Sequence, residues 1–317
     1  MRDFLNEGNF AKEIKQTVLP TLQAARTDQT LTAPDGTPLY TCHYAAQEPR
    51  GTVVIVHGFS ETAEKYHEFI YYLLREGLSV LTFDQRGHGR SGRDAAVGVI
   101  HVRRFDDYIS DLEQILAAYR DSLTAPLFLF GHSMGGGISA LFLEKHGDVF
   151  EKAVLSAPMI DLLYRGITRL ACRAACRFCM LTGRAKKAVF ISKKDYENEP
   201  FERSSALSPA RFAYLREGRR TAPHMSGGAP SYAWSAAALG VCRRIFRKKA
   251  PTRVKIPVLL LSANRDHLVC NEAQARFAAA LTNATLTQVK SKHEILFAND
   301  EVLHPVLNQI LDFYANP

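Results

Sequence analysis

Ser133 stands in "FLFGHSMGGGIS" (Phe128–Ser139), between an apolar run and three glycines. Gly131-His132-Ser133-Met134-Gly135 fits the pattern G-x-S-x-G. Small residues two places before and after such a serine let the chain turn sharply from strand to helix. The turn lifts the serine Oγ clear of the backbone, which predicts a nucleophile. The competing reading is a glycine-rich helix start that caps or binds an anion. A serine hydroxyl is a weak nucleophile without a base. Of the eleven histidines, His67, His146 and His304 fall on expected helices, whereas His293 in "VKSKHEILF" follows the last expected strand in a loop. A loop histidine is ordinarily just solvated, but this one lies at the sheet's carboxyl edge, where a base could reach Ser133. The base in turn needs a carboxylate to fix its tautomer. Asp266 in "LLLSANRDHLV" follows a buried run. Asp161 after "EKAVLSAP" is the rival, and Asp266 is preferred because its loop adjoins that of His293. A developing oxyanion would be held by backbone N–H groups of Phe59, after "VVIVHG", and of Met134.

The elements that must position these groups alternate along the chain. Strands are expected at 37–45 (an early edge strand), 51–58, 78–84, 125–132, 151–158, 256–263 and 284–290. Helices are expected at 64–77, 104–121, 137–147, 271–281 and 300–314. Apolar strand runs separated by helices predict an α/β fold: a mostly parallel sheet covered by helices on both faces. The alternation breaks after residue 160. The expected organisation is a core in two parts, 1–160 and 256–317, with a basic helical cap at 161–255.

The 317 residues are enough for a sizeable core. The first twenty residues scatter charge and contain no apolar stretch, so no secretory signal is read there. No run of 18 apolar residues is present. With six cysteines and no export signal, reduced thiols and a cytoplasmic protein are expected, with a peripheral place at the inner face of the membrane as the alternative. The net charge of +8 is uneven: residues 161–256 hold 21 Lys and Arg against 6 Asp and Glu, which leaves the remainder at −7.

With these pieces assembled, the chain resembles the α/β-hydrolase group that contains bacterial lysophospholipases of the L2 type and monoacylglycerol lipases. The matching stretches are "VIVHGFSE", "FDQRGHGRSG", "RFDDYISDL", "GHSMGGGISALFLEKH", "LSAPMID" and "KHEILFAND", with "GGAPSYAW" the one match in the cap. The resemblance implies ester hydrolysis on a single-chain glycerolipid. It places nucleophile, acid and base on Ser133, Asp266 and His293, and the oxyanion donors on Phe59 and Met134. It implies no metal or cofactor. Arg86 and the glycines of "DQRGHGRSG" are expected to build a loop near the site. An aminopeptidase of the same fold and a non-catalytic binding protein are the alternatives.

"CRAACRFC" (Cys172–Cys179) has the C-x3-C-x2-C spacing of an iron–sulfur site, but it lies inside an expected helix. Cys172, Cys176 and Cys179 would share one helix face and pack as small hydrophobes, with Arg165, Arg169, Arg173 and Arg177 as a stripe beside them. Basic charge beside an apolar face suggests that the cap contacts an anionic membrane. Nucleic acid is not expected, because no recognised binding module is present.

Overall fold

The computed structural model describes residues 2–164, 166–189 and 198–315. Ten strands are described: β1 (Arg26–Thr32), β2 (Pro38–Tyr44), β3 (Thr52–Val56), β4 (Ser79–Phe83), β5 (Val99–Ile100), β6 (Leu127–His132), β7 (Lys152–Ser156), β8 (Ala229–Pro230), β9 (Val258–Ala263) and β10 (Ala284–Val289). Eight form one sheet in the order β1-β2-β4-β3-β6-β7-β9-β10, and β5 pairs with β8 apart from it. Neighbours from β4 to β10 are parallel; β2 is antiparallel to both β1 and β4.

Successive residues of the central strands point to opposite faces, and helices cover each face. On one side Val54, Leu129, Leu155 and Leu260 pack with Leu112 of α4 (Asp106–Ala118), Ile138 of α5 (Met134–Lys145) and Phe277 of α9 (Asn271–Ala280). On the other, Val53, Phe130, Val154 and Leu259 pack with Ile70 of α3 (His67–Arg75) and Ile310 of α10 (Asp300–Ala315). The same side receives an N-terminal helical run, α1 (Phe10–Glu13) and α2 (Leu19–Ala25), joined by a π turn at Ile14–Val18. Burial on both faces explains why these strands read as continuous apolar runs.

The strand expected at the edge, β2, is in fact second. The edge is β1, "RTDQTLT", whose side chains are mostly exposed and so carry no apolar signal. The helix expected from residue 137 begins at Met134, so the glycines lie within its first turn.

Between β7 and β9 the chain leaves the sheet and forms α6 (Arg169–Leu181), α7 (Pro209–Thr221) and α8 (Tyr232–Arg244). Each starts where a hydroxyl caps it: Thr168 accepts from Ala171 N, Ser208 from Arg211 N and Ser231 from Trp234 N. Cys172, Cys176 and Cys179 do share one face of α6 and pack towards Tyr232, Ala236 and Leu239 of α8. Of the expected arginine stripe, Arg165 lies outside the described residues. A second apolar stripe, which the sequence reading did not separate from the first, faces outward. Leu170 is 76% exposed, Phe178 63% and Leu181 87%.

Candidate active site

β6, β9 and β10 are parallel, so the loops that follow them emerge at one edge of the sheet. Ser133 follows β6, Asp266 follows β9 and His293 follows β10. The structure brings the three together. Ser133 Oγ–H donates to His293 Nε2 at 2.8 Å, and His293 Nδ1–H donates to Asp266 Oδ2 at 2.6 Å. The second Asp266 oxygen accepts backbone N–H groups from Leu268 and Val269 at 2.8 and 3.1 Å. Burial pushes the Asp266 carboxyl up. The bond from His293, its charge and the two backbone donors outweigh that and hold it below the usual carboxylate range. The rival Asp161 is used elsewhere: it pairs with Arg169 and accepts from Leu162 N and Tyr164 Oη.

The turn at Ser133 is strained, with φ +52° and ψ −117°. Such a conformation persists only where its surroundings hold it. The glycines make this possible by close approach. A Cβ on Gly135 would lie 2.0 Å from Val56 O, and one on Gly136 would lie 2.6 Å from Pro158 Cβ. The helix start therefore sits directly against the ends of β3 and β7. Among the described residues, neither the Phe59 N–H nor the Met134 N–H has a hydrogen-bond partner. Two free N–H groups at the ends of β3 and β6 are the arrangement an oxyanion requires.

The oxyanion loop is itself fastened. Buried His57 donates from Nδ1 to Gly58 O at 2.7 Å and accepts Gln85 N–H at Nε2, 2.9 Å; burial lowers its pKa. The "DQRGHGRSG" loop lies beside it, where the His88 ring meets Phe59 edge-on at 5.7 Å. Arg86 of that loop makes a two-pronged bond to Asp111 of α4, 2.6 Å on each side. The three histidines expected on helices have structural roles. His67 Nδ1 bonds Tyr214 Oη, His146 Nε2 bonds Glu113, and His304 Nε2–H donates to Leu5 O.

Ser133 and His293 open into a cavity of about 400 Å³. Its apolar wall is built by Phe59, Met134, Met159 and Leu268 from the sheet side, with Phe212, Leu215 and Trp234 from α7 and α8. Sequence reading missed Arg219 of α7 in this wall. It also missed a charge cluster behind the triad: Glu61, Lys65, His132 and Glu294. Glu61, His132 and Glu294 bring three ligating atoms within 4.8 Å of one another, as a metal site would. The Lys65 ammonium already bonds both carboxylates and supplies the cation. The one hint in the sequence was adjacency, since His132 precedes Ser133 and Glu294 follows His293.

A mostly parallel sheet, helices on both faces and a Ser–His–Asp row at the strands' carboxyl edge define the α/β-hydrolase fold. The chain belongs to the family described as serine aminopeptidase, S33, whose model matches residues 47–300. It is 31% identical over 307 residues to lysophospholipase L2 of Escherichia coli K12, covering 91% of this chain and 87% of that one. It is 36% identical over 115 residues to the monoacylglycerol lipase of Mycolicibacterium smegmatis, 36% of this chain and 40% of that one. Among solved structures, the Saccharomyces cerevisiae monoglyceride lipase in complex with a substrate analog superposes with a TM-score of 0.71. The match has 20% identity and covers 91% of this chain and 95% of that one. The Paleococcus ferrophilus monoacylglycerol lipase gives 0.68 at 22% identity, covering 87% and 97%. The structural likenesses establish the same fold.

Proposed function

We propose that this protein is a serine hydrolase that cleaves the carboxylic ester of lysophospholipids through an acyl-enzyme. The observation that carries this is the bonded row Ser133–His293–Asp266 at the floor of an apolar-walled cavity. His293 takes the Ser133 proton as Oγ attacks the acyl carbonyl, and Asp266 steadies the imidazolium. The oxyanion is held by the Phe59 and Met134 N–H groups. As the C–O bond breaks, His293 returns the proton to the leaving glycerol oxygen. Water, deprotonated by the same histidine, then releases the fatty acid. No metal or cofactor enters these steps.

Two observations favour a phosphate-bearing head group over a neutral glyceride. The likeness to lysophospholipase L2 runs through the segment between β7 and β9, whereas the likeness to the M. smegmatis monoacylglycerol lipase spans 115 residues. Arg219 adds a guanidinium to the cavity wall. The test is fatty-acid release from lysophosphatidylcholine and from a monoacylglycerol of equal chain length, with Ser133→Ala as the blank. Faster release from the phospholipid is expected; equal rates or the reverse order overturn the head-group assignment. The family description also raises peptide hydrolysis, which needs a carboxylate to grip a free amino terminus. Glu61 and Glu294 in the wall are already engaged by Lys65, which leaves Glu199 as the wall carboxylate for that role; cleavage of amino-acid p-nitroanilides is expected to be slower than ester cleavage, and the reverse order would favour the peptidase reading.

Residues 161–255 act in this reading as a cap that meets an anionic lipid surface. The outward stripe Leu170, Ala174, Phe178 and Leu181 is flanked on α6 by Arg173 and Arg177, and the Arg184 to Lys187 turn adds further cations. Apolar exposure bordered by cations suits a membrane interface. Phe178→Ser with Leu181→Ser is expected to at least halve recovery with phosphatidylglycerol vesicles in flotation, leaving turnover of a water-soluble ester unchanged. Equal recovery of the unaltered protein with neutral and anionic vesicles would sink the docking role.

A further inference from the structure

The cluster Glu61, Lys65, His132 and Glu294 joins three parts of the site that are far apart in sequence. His132 is the residue before Ser133. Glu294 is the residue after His293. Glu61 lies two residues past Phe59 and accepts the Gly58 N–H at 2.8 Å, so it pins the loop carrying that oxyanion donor. Lys65, on the short 3-10 turn Ala63–Tyr66, donates to Glu61 at 2.6 Å and to Glu294, which links the oxyanion loop to the base loop. His132 faces both carboxylates from the nucleophile turn, 3.5 Å from Glu61 and 3.4 Å from Glu294. Its Nδ1–H donates to Ser156 O, the same carbonyl that accepts the Ser133 N–H. Tyr66 Oη–H completes Glu61 at 2.8 Å.

The burial is deep: the Lys65 side chain is 2% exposed, His132 4% and Glu61 5%. Burying three ionisable groups beside a partly exposed fourth, Glu294, is costly, and well-packed apolar residues of similar volume stabilise a fold at least as well. Stability alone does not account for the arrangement. Burial would push both carboxyls up; the charge of Lys65, the largest opposing influence, holds both below the ordinary range, so the carboxylates stay ionised. Lys65 is absent from the residues lining the substrate cavity, whereas Glu61 and Glu294 line it. Lys65 therefore stands behind the reacting groups and cannot touch a substrate there.

We propose that Lys65 is a positioning residue: by clamping Glu61 and Glu294 together it sets the relative placement of the oxyanion donors, Ser133 and His293. The proposal rests on the catalytic reading above. Without the ammonium the two loops lose the donor they share; the carboxylates repel or one takes up a proton, and neither outcome restores the link between the loops. A displacement of about 1 Å at such groups lowers turnover by about 100-fold.

The test uses the full chain, a water-soluble short-chain ester and a fluorophosphonate probe. Lys65→Met is expected to lower kcat by about 100-fold with KM within about threefold of the unaltered protein, and to slow probe labelling of Ser133 in parallel. Lys65→Arg, which restores the cation, is expected to recover kcat to within about tenfold. A folded Lys65→Met protein, checked by circular dichroism, that keeps its kcat overturns the proposal. So does a Lys65→Arg protein as slow as Lys65→Met, because packing rather than charge would then matter. If Lys65→Met does not fold, Glu294→Gln decides. It keeps the side chain's shape and removes one end of the clamp; a drop in kcat of about tenfold or more at unchanged KM supports positioning, and an unchanged kcat refutes it. An unaltered protein that neither hydrolyses ester nor takes the probe removes the catalytic reading, and the clamp's role with it. A Lys65 effect missing from an active protein removes the clamp alone.

Discussion

Ser133→Ala is expected to lower ester turnover by about 10⁴-fold or more while leaving the thermal midpoint of the protein unchanged or slightly raised. The size follows from the geometry. The Oγ that would be removed is the atom that forms the acyl bond, and the base 2.8 Å away, His293, loses the nucleophile it activates. The oxyanion donors and cavity persist, so a small residual rate over water is expected rather than none. Asp266→Asn is expected to come close in effect, because an amide cannot accept the Nδ1–H in the same way and leaves the imidazole in the wrong tautomer. Asp161→Asn is the control. Its carboxylate serves Arg169 and Tyr164, so turnover of a soluble ester is expected to stay within about threefold. Initial rates with a chromogenic ester, taken per mole of folded protein, measure all three. An active Ser133→Ala protein would remove the serine mechanism. An inactive Asp161→Asn protein beside an active Asp266→Asn one would move the acid to Asp161.

Much of this site can be read from sequence because the physics that builds it is local. Ser133 announces itself by its glycines, since only residues without a side chain fit 2.0 Å from Val56 O and 2.6 Å from Pro158. Asp266 stands just past the apolar run of β9, which is buried on both faces, and His293 follows β10, the partly exposed edge strand parallel to it, so the sheet puts both at one edge. Other features depend on distant contacts. Lys65 and Glu294 meet across 229 positions of sequence, and nothing near either residue signals the other. β1 is mostly exposed, and its pairing with β2 is made by backbone groups that carry no residue signature. The N-terminal helical run is an intermediate case. Phe10, Ile14, Val18 and Leu22 make a buried stripe four residues apart, a legible pattern in a segment read only for targeting. On α6 the sequence places the cysteines on one face. Only packing against α8 decides that this face turns inward and that Leu170, Phe178 and Leu181 turn out.

Arg211→Met is expected to destabilise the protein by about 3–5 kcal/mol, the usual result of breaking a buried ion pair from one side. The side chain is 1% exposed. Its guanidinium bonds both Glu68 oxygens of α3 at 2.8 and 2.9 Å, Asp300 of α10 at 2.9 Å, and the carbonyls of Ala298 and Leu5 at 3.3 Å each. It also lies 5.2 Å over the Phe10 ring. One residue of α7 thus ties the segment between β7 and β9 to both ends of the chain and to a helix of the sheet layer. In a chain of this size the loss corresponds to a fall in thermal midpoint of roughly 6–20 °C. Lys is not expected to substitute, because it cannot make the two-pronged bond to Glu68. Most of the penalty should come from carboxylates left without their cation, since Tyr72 Oη–H and Glu7 N–H still bond Glu68 and Asp300 but carry no charge. Adding Glu68→Gln and Asp300→Asn to Arg211→Met should therefore recover part of the midpoint, an outcome opposite to what independent contacts would give. A triple variant less stable than the single one would show that the guanidinium's packing, not its charge, holds α7 in place. Either way α7 carries Phe212, Leu215 and Arg219 into the cavity wall, so loosening it should raise KM for long-chain substrate before it lowers kcat.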